Sequence, residues 1–375
     1  MAKPNASNAR IKRDYFRYLR DARGRDEATI DAVAKALARF EETAGAKDFR
    51  RFHREQAMAF KRRLANAHGQ RSGEKLSKAT VHSTLRHLKA FFEWLSREPG
   101  FRRHIAWADA DYFNLSEKDA AIARARREKK VPTLEQVRHV LVSMPAATVL
   151  DRRDRALIAF AAITAARVGA LASLQLRHVD LAGGFVDQDA RVVQTKFGKT
   201  FRTYFMPTIT EALPIVTGWI EELARDHFWG AADPLFPATR MAIGENGGFV
   251  PAGLERRGWA TSEPIRAIFR RAFAAAGLPY YNPHSFRDML VHHAMKQPLT
   301  PEQMKAWSQN LGHADVLTTF TSYGTVPPHR QGELISGGAD VRLTGGAPAL
   351  DQAALMEAIA KLVENASIPA LSAGG

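Results

Sequence analysis

The spacing of apolar residues predicts that the first third of the chain is helical. Three stretches repeat apolar residues every three or four positions, as one face of a helix does, over residues 29–40, 53–67 and 77–98. Residues 1–25 are polar and basic ahead of this pattern. We therefore predict a basic flexible arm over residues 1–25, followed by a small all-α domain over residues 26–115.

The apolar pattern weakens over residues 116–131, which end in a basic cluster, and we predict that this segment links two domains. The alternative is an exposed helix on a single large domain. A new helix is signalled at Thr133, a capping threonine that is followed three residues later by Gln136. A strongly apolar stretch over residues 154–167 predicts that the next helix is buried.

Beyond the apolar helix, short segments with β-branched and aromatic residues predict a small sheet. We predict three strands with the sequences FVDQ, ARVVQTK and FRTYFM, and a hairpin turn at FGKT between the last two. Residues 229–259 are rich in Gly and Pro and predict loops, with helices on either side. The domain over residues 132–330 is thus α+β, and the whole chain is mostly α with a small β-sheet.

The tail, residues 331–375, predicts one more element. Its segment ALDQAALMEAIAKLVENA carries apolar residues on one stripe of a helix and follows a Gly-rich connection. Such an appended helix docks either on its own domain or on a neighbouring protomer, and the sequence does not separate these two arrangements.

Composition narrows the class of protein. At 375 residues the chain can hold two cores, and 45% apolar with 25% charged residues is ordinary for a soluble globular protein. Cysteine is absent, which excludes disulfides, a thiol nucleophile and zinc sites of the cysteine type. The longest apolar run, residues 156–166, is shorter than the roughly 20 residues that span a bilayer. With no signal peptide in view, we expect a cytoplasmic protein without a membrane partner.

The positive charge is concentrated in the first third of the chain. Residues 1–130 hold 31 Lys and Arg against 17 Asp and Glu, whereas the rest holds 23 against 22. Such asymmetry points to a polyanion, and double-stranded DNA is the partner that we expect. The candidate DNA contacts on the predicted helices are Lys61, Arg62, Lys78, Arg86 and Lys89. A solvated helix face that binds no DNA explains these residues equally well.

Candidate chemistry gathers between His284 and Tyr323. HSFR opens a helix on which His284 and Arg287 share a face, because they are three residues apart. A second helix begins at Thr300 and ends near the glycine of LGH, so His313 lies just beyond a helix C-terminus. These groups suit chemistry on an anion. We do not expect a metal site at His284, His292 and His293, because their spacing does not present three ligands on one helical face.

Cleaving a phosphodiester without metal or water sets definite requirements. Arginine side chains match the geometry of the non-bridging oxygens, on which negative charge grows in the transition state. A tyrosine nucleophile, with an ordinary pKa of about 10, needs a base or a positive field. The departing 5′ oxygen needs a proton donor, and lysine or histidine can serve.

Four motifs, in this order and spacing, resemble the tyrosine recombinase (phage integrase) family. They are ITAARVGALASLQLRHVD, VVQTKFGKTFRTYFMP, HSFR and LGHADVLTTFTSYG, and the likeness covers roughly residues 130–325. A weaker likeness relates the N-terminal helices to the core-binding domain of that family. One motif by itself is weak evidence for the family, because most of its polar residues, taken singly, are explained equally well by a structural role. Four in the right order make the match strong.

The resemblance implies a role for each of six residues. Arg167 and Arg287 would clamp the scissile phosphate, Lys196 would protonate the 5′ oxygen, and His284 and His313 would bind the phosphate and assist proton transfer. Tyr323 would attack to give a 3′-phosphotyrosyl link and a free 5′ hydroxyl. No metal, ATP or other cofactor is then required. Lys199 is the competing lysine on the same predicted hairpin, and placement ahead of the turn favours Lys196.

One position departs from the family pattern. The family usually has an acid three residues after the first arginine, where this chain has Ala170. The departure puts in doubt the usual support of the active site, and some other carboxylate would have to replace it.

The resemblance also implies an assembly, a C-shaped clamp that acts as a homo-tetramer on paired DNA sites in the nucleoid, with accessory DNA-bending or directionality factors as further partners. The alternatives are a type IB topoisomerase, a telomere resolvase and a non-catalytic DNA-binding relative.

Overall fold

The computed structural model describes residues 5–69, 73–125, 130–313, 331–332 and 335. The chain divides into two compact units, residues 1–127 and 128–375. Each unit has its own apolar core. Within the described ranges, no helix is long and apolar enough to cross a membrane.

The N-terminal unit is all-α, as the apolar spacing predicts. Its helices are α1 (Ala6–Arg17), α2 (Glu27–Thr43), α3 (Arg54–Ala65), α4 (Lys78–Leu95) and α5 (Glu117–Arg124). A π turn, Tyr18–Ala22, continues α1, and a 3₁₀ helix, Trp107–Phe113, precedes α5. Side-chain caps at Asp26 and Ser77 fix where α2 and α4 begin. Phe40, Phe52 and Phe92 pack with other aromatic rings at the centre of the unit.

The prediction of a flexible arm over residues 1–25 is wrong for the part that forms α1. Ile11, Tyr15 and Leu19 are buried in the core of the N-terminal unit. Asn8 is fully buried, donates to the carbonyl of Lys47 at 3.0 Å and accepts from the backbone N–H of Phe49 at 3.0 Å. These three apolar residues lie four positions apart, and most residues between them are polar or charged. The apolar stripe is therefore short, and the sequence resembles a basic arm more than a buried helix.

The predicted linker, residues 116–131, contains α5 in its first half. Ser116 caps this helix, and Lys78 of α4 pairs with Asp119 at 2.5 Å. No residue of α5 is fully buried, which explains why its sequence resembles an exposed connection.

The C-terminal unit is organised around α7 (Val149–Thr164), which is buried on all sides over residues 156–163. The helices before and after it are α6 (Leu134–Ser143), α8 (Val168–Ser173), α9 (Ala212–Arg225), α10 (Glu263–Ala275), α11 (Ser285–Ala294) and α12 (Pro301–Asn310). The predicted cap at Thr133 is present, with reciprocal bonds to Gln136.

A three-stranded antiparallel sheet is formed by β1 (Val179–Asp180), β2 (Phe185–Gln188) and β3 (Phe201–Tyr204) in that order. β2 and β3 confirm two predicted strands, but the strand predicted for ARVVQTK is not formed. The side chain of Asp189 accepts from the N–H of Arg191 at 3.0 Å, and this turn ends β2. The N–H of Gln194 then donates to Ser173 Oγ at 2.8 Å, so the segment bonds to α8 instead of the sheet.

The loops predicted over residues 229–259 include a second hairpin. It consists of β4 (Ala238–Ile243) and β5 (Phe249–Glu255), with a register shift between Thr239 and Met241. Arg153 of α7 anchors its base, donating to the Pro237 carbonyl at 3.1 Å and to Thr239 Oγ1 at 2.9 Å. The prediction failed because Pro251 and the glycines of this region mark turns more often than strands.

Candidate active site

Arg287 is the most enclosed charge of the candidate site, with 2% of its surface exposed. α11 carries it into the C-terminal unit, where Nη1 donates to the Ala165 carbonyl at 2.8 Å and Nη2 donates to the Leu311 carbonyl. Nη2 also lies 3.2 Å from Nε2 of His313. These contacts fix the plane of the guanidinium and tie together the ends of α7 and α12.

His313 follows α12, whose start at Thr300 carries the predicted capping box with Gln303. Gly312 has φ +70°, which turns the chain out of the helix and brings the imidazole back to Arg287. Burial, and after it the charges of Arg287, Arg167, Lys199 and His284, together lower the pKa of His313 to about 4. Because arginine only donates, His313 Nε2 accepts the bond from Arg287, which requires a neutral ring.

Arg167 reaches this cluster because α7 ends three residues earlier, at Thr164. Ala165 takes the left-handed conformation with φ 50°, and Arg167 is extended at the start of α8. The carbonyl of Ala165 is the one to which Arg287 Nη1 donates, so Arg287 is bonded to the short turn that leads to Arg167. Arg167 is half-buried, and its charge acts on His313. The structure therefore brings both predicted arginines to the same place.

His284 lies at the start of α11, one helical turn before Arg287, and is exposed. Its charge also acts on His313, which places it at the rim of the same cluster. The histidine pair His292 and His293 lies at the other end of α11. Among the described residues, no group of three His, Cys, Asp or Glu could hold a metal ion.

The two lysines of the connection between β2 and β3 differ in what they face. Lys196 begins a single 3₁₀ turn, and its ammonium lies 4.8 Å from the ring centre of Phe197, which is 81% exposed. Lys199 follows that turn in an extended conformation, and its charge acts on His313. Sequence placement favours Lys196 as the proton donor.

Tyr323, the predicted nucleophile, lies outside the described residues. So does the amphipathic segment of the tail. Ala170, where the family usually has an acid, is fully buried in the core of the C-terminal unit.

Asn310 was missed by sequence reasoning. Its side chain accepts from the N–H of Tyr204 at 2.6 Å and donates to the Tyr204 carbonyl at 3.0 Å. A polar residue directly before LGH, at the end of an amphipathic helix, was the available signal.

The candidate DNA contacts of the N-terminal unit fall into two groups. The three lysines bond within the unit, where Lys61 donates to the Asn114 carbonyl at 2.8 Å, Lys78 pairs with Asp119 at 2.5 Å, and Lys89 pairs with Asp111 at 2.7 Å. Arg62 and Arg86 are exposed on α3 and α4. The three lysines therefore stabilise the N-terminal unit, whereas the two arginines expose their charge to solvent.

Comparison with known proteins decides the family. The family model described as the phage integrase family matches residues 131–328, more than half of the chain. The chain belongs to the phage integrase family. It is thus a tyrosine recombinase, an enzyme of site-specific DNA recombination, and the resemblance expected from the four motifs is confirmed.

Relatives of this phage integrase are known by sequence and by structure. The tyrosine recombinase XerC of Xylella fastidiosa (strain 9a5c) is 26% identical over 316 residues, spanning 83% of this chain and 90% of that protein. A XerC of Lactobacillus delbrueckii subsp. bulgaricus is 24% identical over 321 residues, spanning 82% and 92%.

Two solved structures share the fold. The XerH site-specific recombinase bound to a palindromic difH substrate, in a post-cleavage complex, has a TM-score of 0.56 at 16% identity, covering 88% of this chain and 85% of that one. A lambda integrase dimer bound to a COC′ core site has a TM-score of 0.54 at 16% identity, covering 84% and 94%.

Proposed function

We propose that this chain cleaves and rejoins DNA strands at a specific site through a 3′-phosphotyrosyl intermediate at Tyr323. The observation that carries the proposal is the convergence of Arg167, Arg287 and His313, from three separate parts of the chain, on one turn of the C-terminal unit. Two arginine side chains whose positive charges repel each other, with a histidine beside them, favour the binding of an oxyanion at this place.

The proposed clamp is rigid before DNA arrives. Arg287 is held by two backbone carbonyls, so it does not need to be reordered when a phosphate binds. Preorganised donors of this type stabilise the charge that grows on the non-bridging oxygens, which is often the largest catalytic effect. Arg167, half-buried beside the same turn, would supply the second donor fork.

The chemistry that we propose moves two protons. The Tyr323 oxygen bonds to phosphorus as the bond from phosphorus to the 5′ oxygen breaks. The tyrosine proton passes to a neutral histidine, for which His284 and His313 are the candidates, and a lysine of the connection between β2 and β3 protonates the 5′ oxygen. Sequence placement assigns that lysine as Lys196. A 5′ hydroxyl from another strand reverses the same steps, so neither ATP nor metal enters the balance.

Binding of a phosphate would change the state of His313. Its pKa of about 4 reflects burial first and then the neighbouring charges, of which those of Arg287 and Arg167 act most strongly. A dianionic transition state offsets those cations, so a proton on His313 and a bound phosphate favour each other. His313 thus accepts a proton more readily as negative charge develops on the phosphate.

The rest of the chain supplies DNA affinity and assembly in this proposal. The N-terminal unit, with the excess of basic residues, provides the sequence-independent attraction to the phosphate backbone. Arg62 and Arg86 are the exposed contacts that we favour. A homo-tetramer on paired sites in the nucleoid, helped by DNA-bending or directionality factors, completes the reaction by exchanging four strands.

Nicked duplexes tiled across the DNA that flanks the gene test the nucleophile. A nick a few nucleotides beyond the cleaved bond leaves a short fragment that carries the free 5′ hydroxyl. This fragment diffuses away, so the reaction cannot reverse and the covalent adduct accumulates. The adduct is detected as labelled DNA that stays with the denatured protein. The wild-type chain should form the adduct on at least one duplex, and Tyr323→Phe on none. An adduct with Tyr323→Phe, or none with wild type, would falsify the assignment.

A further inference from the structure

The connection between β2 and β3 exposes an aromatic ring on a strained turn. Phe197 has φ 63° and ψ 22°, Gly198 has φ 61°, and 81% of the phenylalanine is exposed. Two successive residues in the left-handed conformation form a tight turn whose first central position favours Asn, Asp or Gly, because a bulky side chain is strained there. Neither burial in the core nor the preference of the turn explains a phenylalanine at this position.

The start of this connection is fastened to α8. The N–H of Gln194 donates to Ser173 Oγ at 2.8 Å. A Cβ built on Gly169 would fall 3.0 Å from the carbonyl oxygen of Gln194, so the two backbones are in close contact. The connection therefore leaves from the helix that begins directly after Arg167.

The end of the connection is fastened beside His313. The ring of Phe201 lies against Gly312, so closely that a Cβ built on this glycine would fall 2.6 Å from a ring carbon. Phe197 precedes Phe201 by four residues, which span at most about 14 Å of chain. With a spacing of about 3.4 Å between base pairs, the ring is within reach of base steps up to roughly five from a phosphate held by the arginines.

The charge around the ring suits DNA. Lys196 and Lys199 flank the turn and are exposed, and no Asp or Glu occurs from residue 190 to residue 210. The Lys196 ammonium lies 4.8 Å from the centre of the Phe197 ring. An exposed apolar ring between two cations matches a duplex, which offers phosphates on its outside and the apolar faces of stacked bases within.

Phe228 shows that exposure and strain do not assign this role by themselves. It has φ 54° and is 82% exposed in the same unit. It follows Asp226 and His227, and Glu222 Oε1 lies 3.9 Å from Nε2 of His227, so acidic groups lie beside it. Phe228 thus matches Phe197 in backbone and exposure and differs in place and charge.

We propose that Phe197 is an apolar wedge that enters the base stack of the duplex beside the cleaved phosphate and partly unstacks one base step. The proposal rests on the proposed strand-cleavage function, and it is independent of which lysine donates the proton. Apolar side chains that enter between base steps kink the duplex, and flexible pyrimidine–purine steps yield most easily. Phe197 therefore contributes to the choice of cleavage site through the ease of unstacking, without a hydrogen bond to any base.

Replacing Phe197 by asparagine separates the wedge from the turn. Asparagine suits this position of the turn, so Phe197→Asn should unfold at the same temperature as wild type or higher. On a duplex that the wild-type chain cleaves, its single-turnover cleavage should be roughly 5–100-fold slower, the range expected when one ring stacked on a base is lost. Phe197→Leu keeps an apolar wedge and should lose less. Phe228→Asn, the matched control, should cleave as wild type does.

Two changes in the DNA locate the unstacked step. A mismatch weakens stacking in advance, and one mismatch among roughly five base pairs on either side of the cleaved bond should restore most of the cleavage lost in Phe197→Asn. The fluorescence of 2-aminopurine rises when the base is unstacked. At the same position its emission should rise when Tyr323→Phe binds, and stay low when a variant with both Tyr323→Phe and Phe197→Asn binds.

The proposal is overturned if Phe197→Asn cleaves as fast as wild type, or if Phe228→Asn loses as much. It is also overturned if no mismatch restores the loss and the emission of 2-aminopurine is the same with and without the ring. A wild-type chain that cleaves none of the duplexes would instead overturn the proposed function, which is a separate result.

Discussion

The guanidinium of Arg287 donates to Nε2 of His313 across 3.2 Å, and so a buried cation faces the lone pair of a neutral imidazole. The bond exists only while His313 is unprotonated, because arginine has no acceptor. Both the stability of the fold and the cleavage activity should therefore depend on the protonation of His313.

Stability should fall with acid through His313. Burial, then the neighbouring cations, lower its pKa to about 4 in the folded chain, whereas an unfolded histidine titrates near 6.5. Between these values the unfolded chain binds the extra proton, so stability is lost as pH falls from about 6.5 towards 4. Wild type should lose on the order of 1–2 kcal/mol more than His313→Gln between pH 7 and pH 5. Denaturant unfolding of both proteins at the two pH values measures the difference, and equal losses would contradict it.

The two arginines should differ in what their removal costs. Arg167→Ala and Arg287→Ala should both abolish detectable adduct while sparing most DNA affinity, because the basic N-terminal unit supplies the bulk attraction. Arg287→Ala should in addition destabilise the fold by about 2–4 kcal/mol, because it leaves the carbonyls of Ala165 and Leu311 without their donor. Gel shifts and denaturant unfolding check both effects. Loss of binding in either variant would contradict this division of roles.

Much of the site could be read from the sequence because its residues sit beside strong local signals. The cap at Thr300 and the glycine of LGH fix α12, and hence the place of His313, without knowledge of the tertiary fold. Arg167 is marked by the end of the apolar run that forms α7. These signals are local, and the structure places Arg167, Arg287 and His313 together as the motifs imply.

The errors arose where tertiary contacts outweigh local pattern. The segment ARVVQTK has the residues of a strand, but Ser173 of α8 captures the N–H of Gln194. The helical pattern does not predict the role of Asn310, because its hydrogen-bond partner Tyr204 lies on a strand 106 positions away. The different environments of Lys196 and Lys199 likewise depend on the turn at Lys196–Gly198, with φ +63° at Phe197, which spacing does not predict.

Gly312 should tolerate no side chain. Its φ of +70° strains any other residue, and a Cβ there would fall 2.6 Å from the ring of Phe201. Gly312→Ala should destabilise the chain by about 1–3 kcal/mol and slow cleavage. Gly277→Ala is the matched control, because Gly277 has φ +69° and no atom within 4 Å of its Cβ position. Equal costs for the two variants, by denaturant unfolding, would show that contact with Phe201 adds nothing.

Restoring the family acid should harm this protein. Ala170 is fully buried in the apolar core, so a glutamate there would have to bury its carboxylate. Ala170→Glu should cost about 2–5 kcal/mol and lower cleavage. Ala170→Leu, of similar bulk and no charge, separates overpacking from desolvation. A stable Ala170→Glu that cleaves faster than wild type would mean that the site still accepts the acid, and that the N-terminus of α8 adjusts to it.

The exposed arginines of the N-terminal unit should carry more DNA affinity than its lysines. Arg62→Ala and Arg86→Ala should each lower affinity for any duplex and reduce the slope of log K against log salt by about 1, since each removes one phosphate contact. Lys89 is matched in charge but pairs with Asp111 at 2.7 Å, so Lys89→Ala should leave the slope unchanged. Fluorescence anisotropy with labelled duplex at several salt concentrations measures all three variants. A slope change confined to Lys89→Ala would mean that the Asp111 pair opens on DNA and that Arg62 and Arg86 stay solvated.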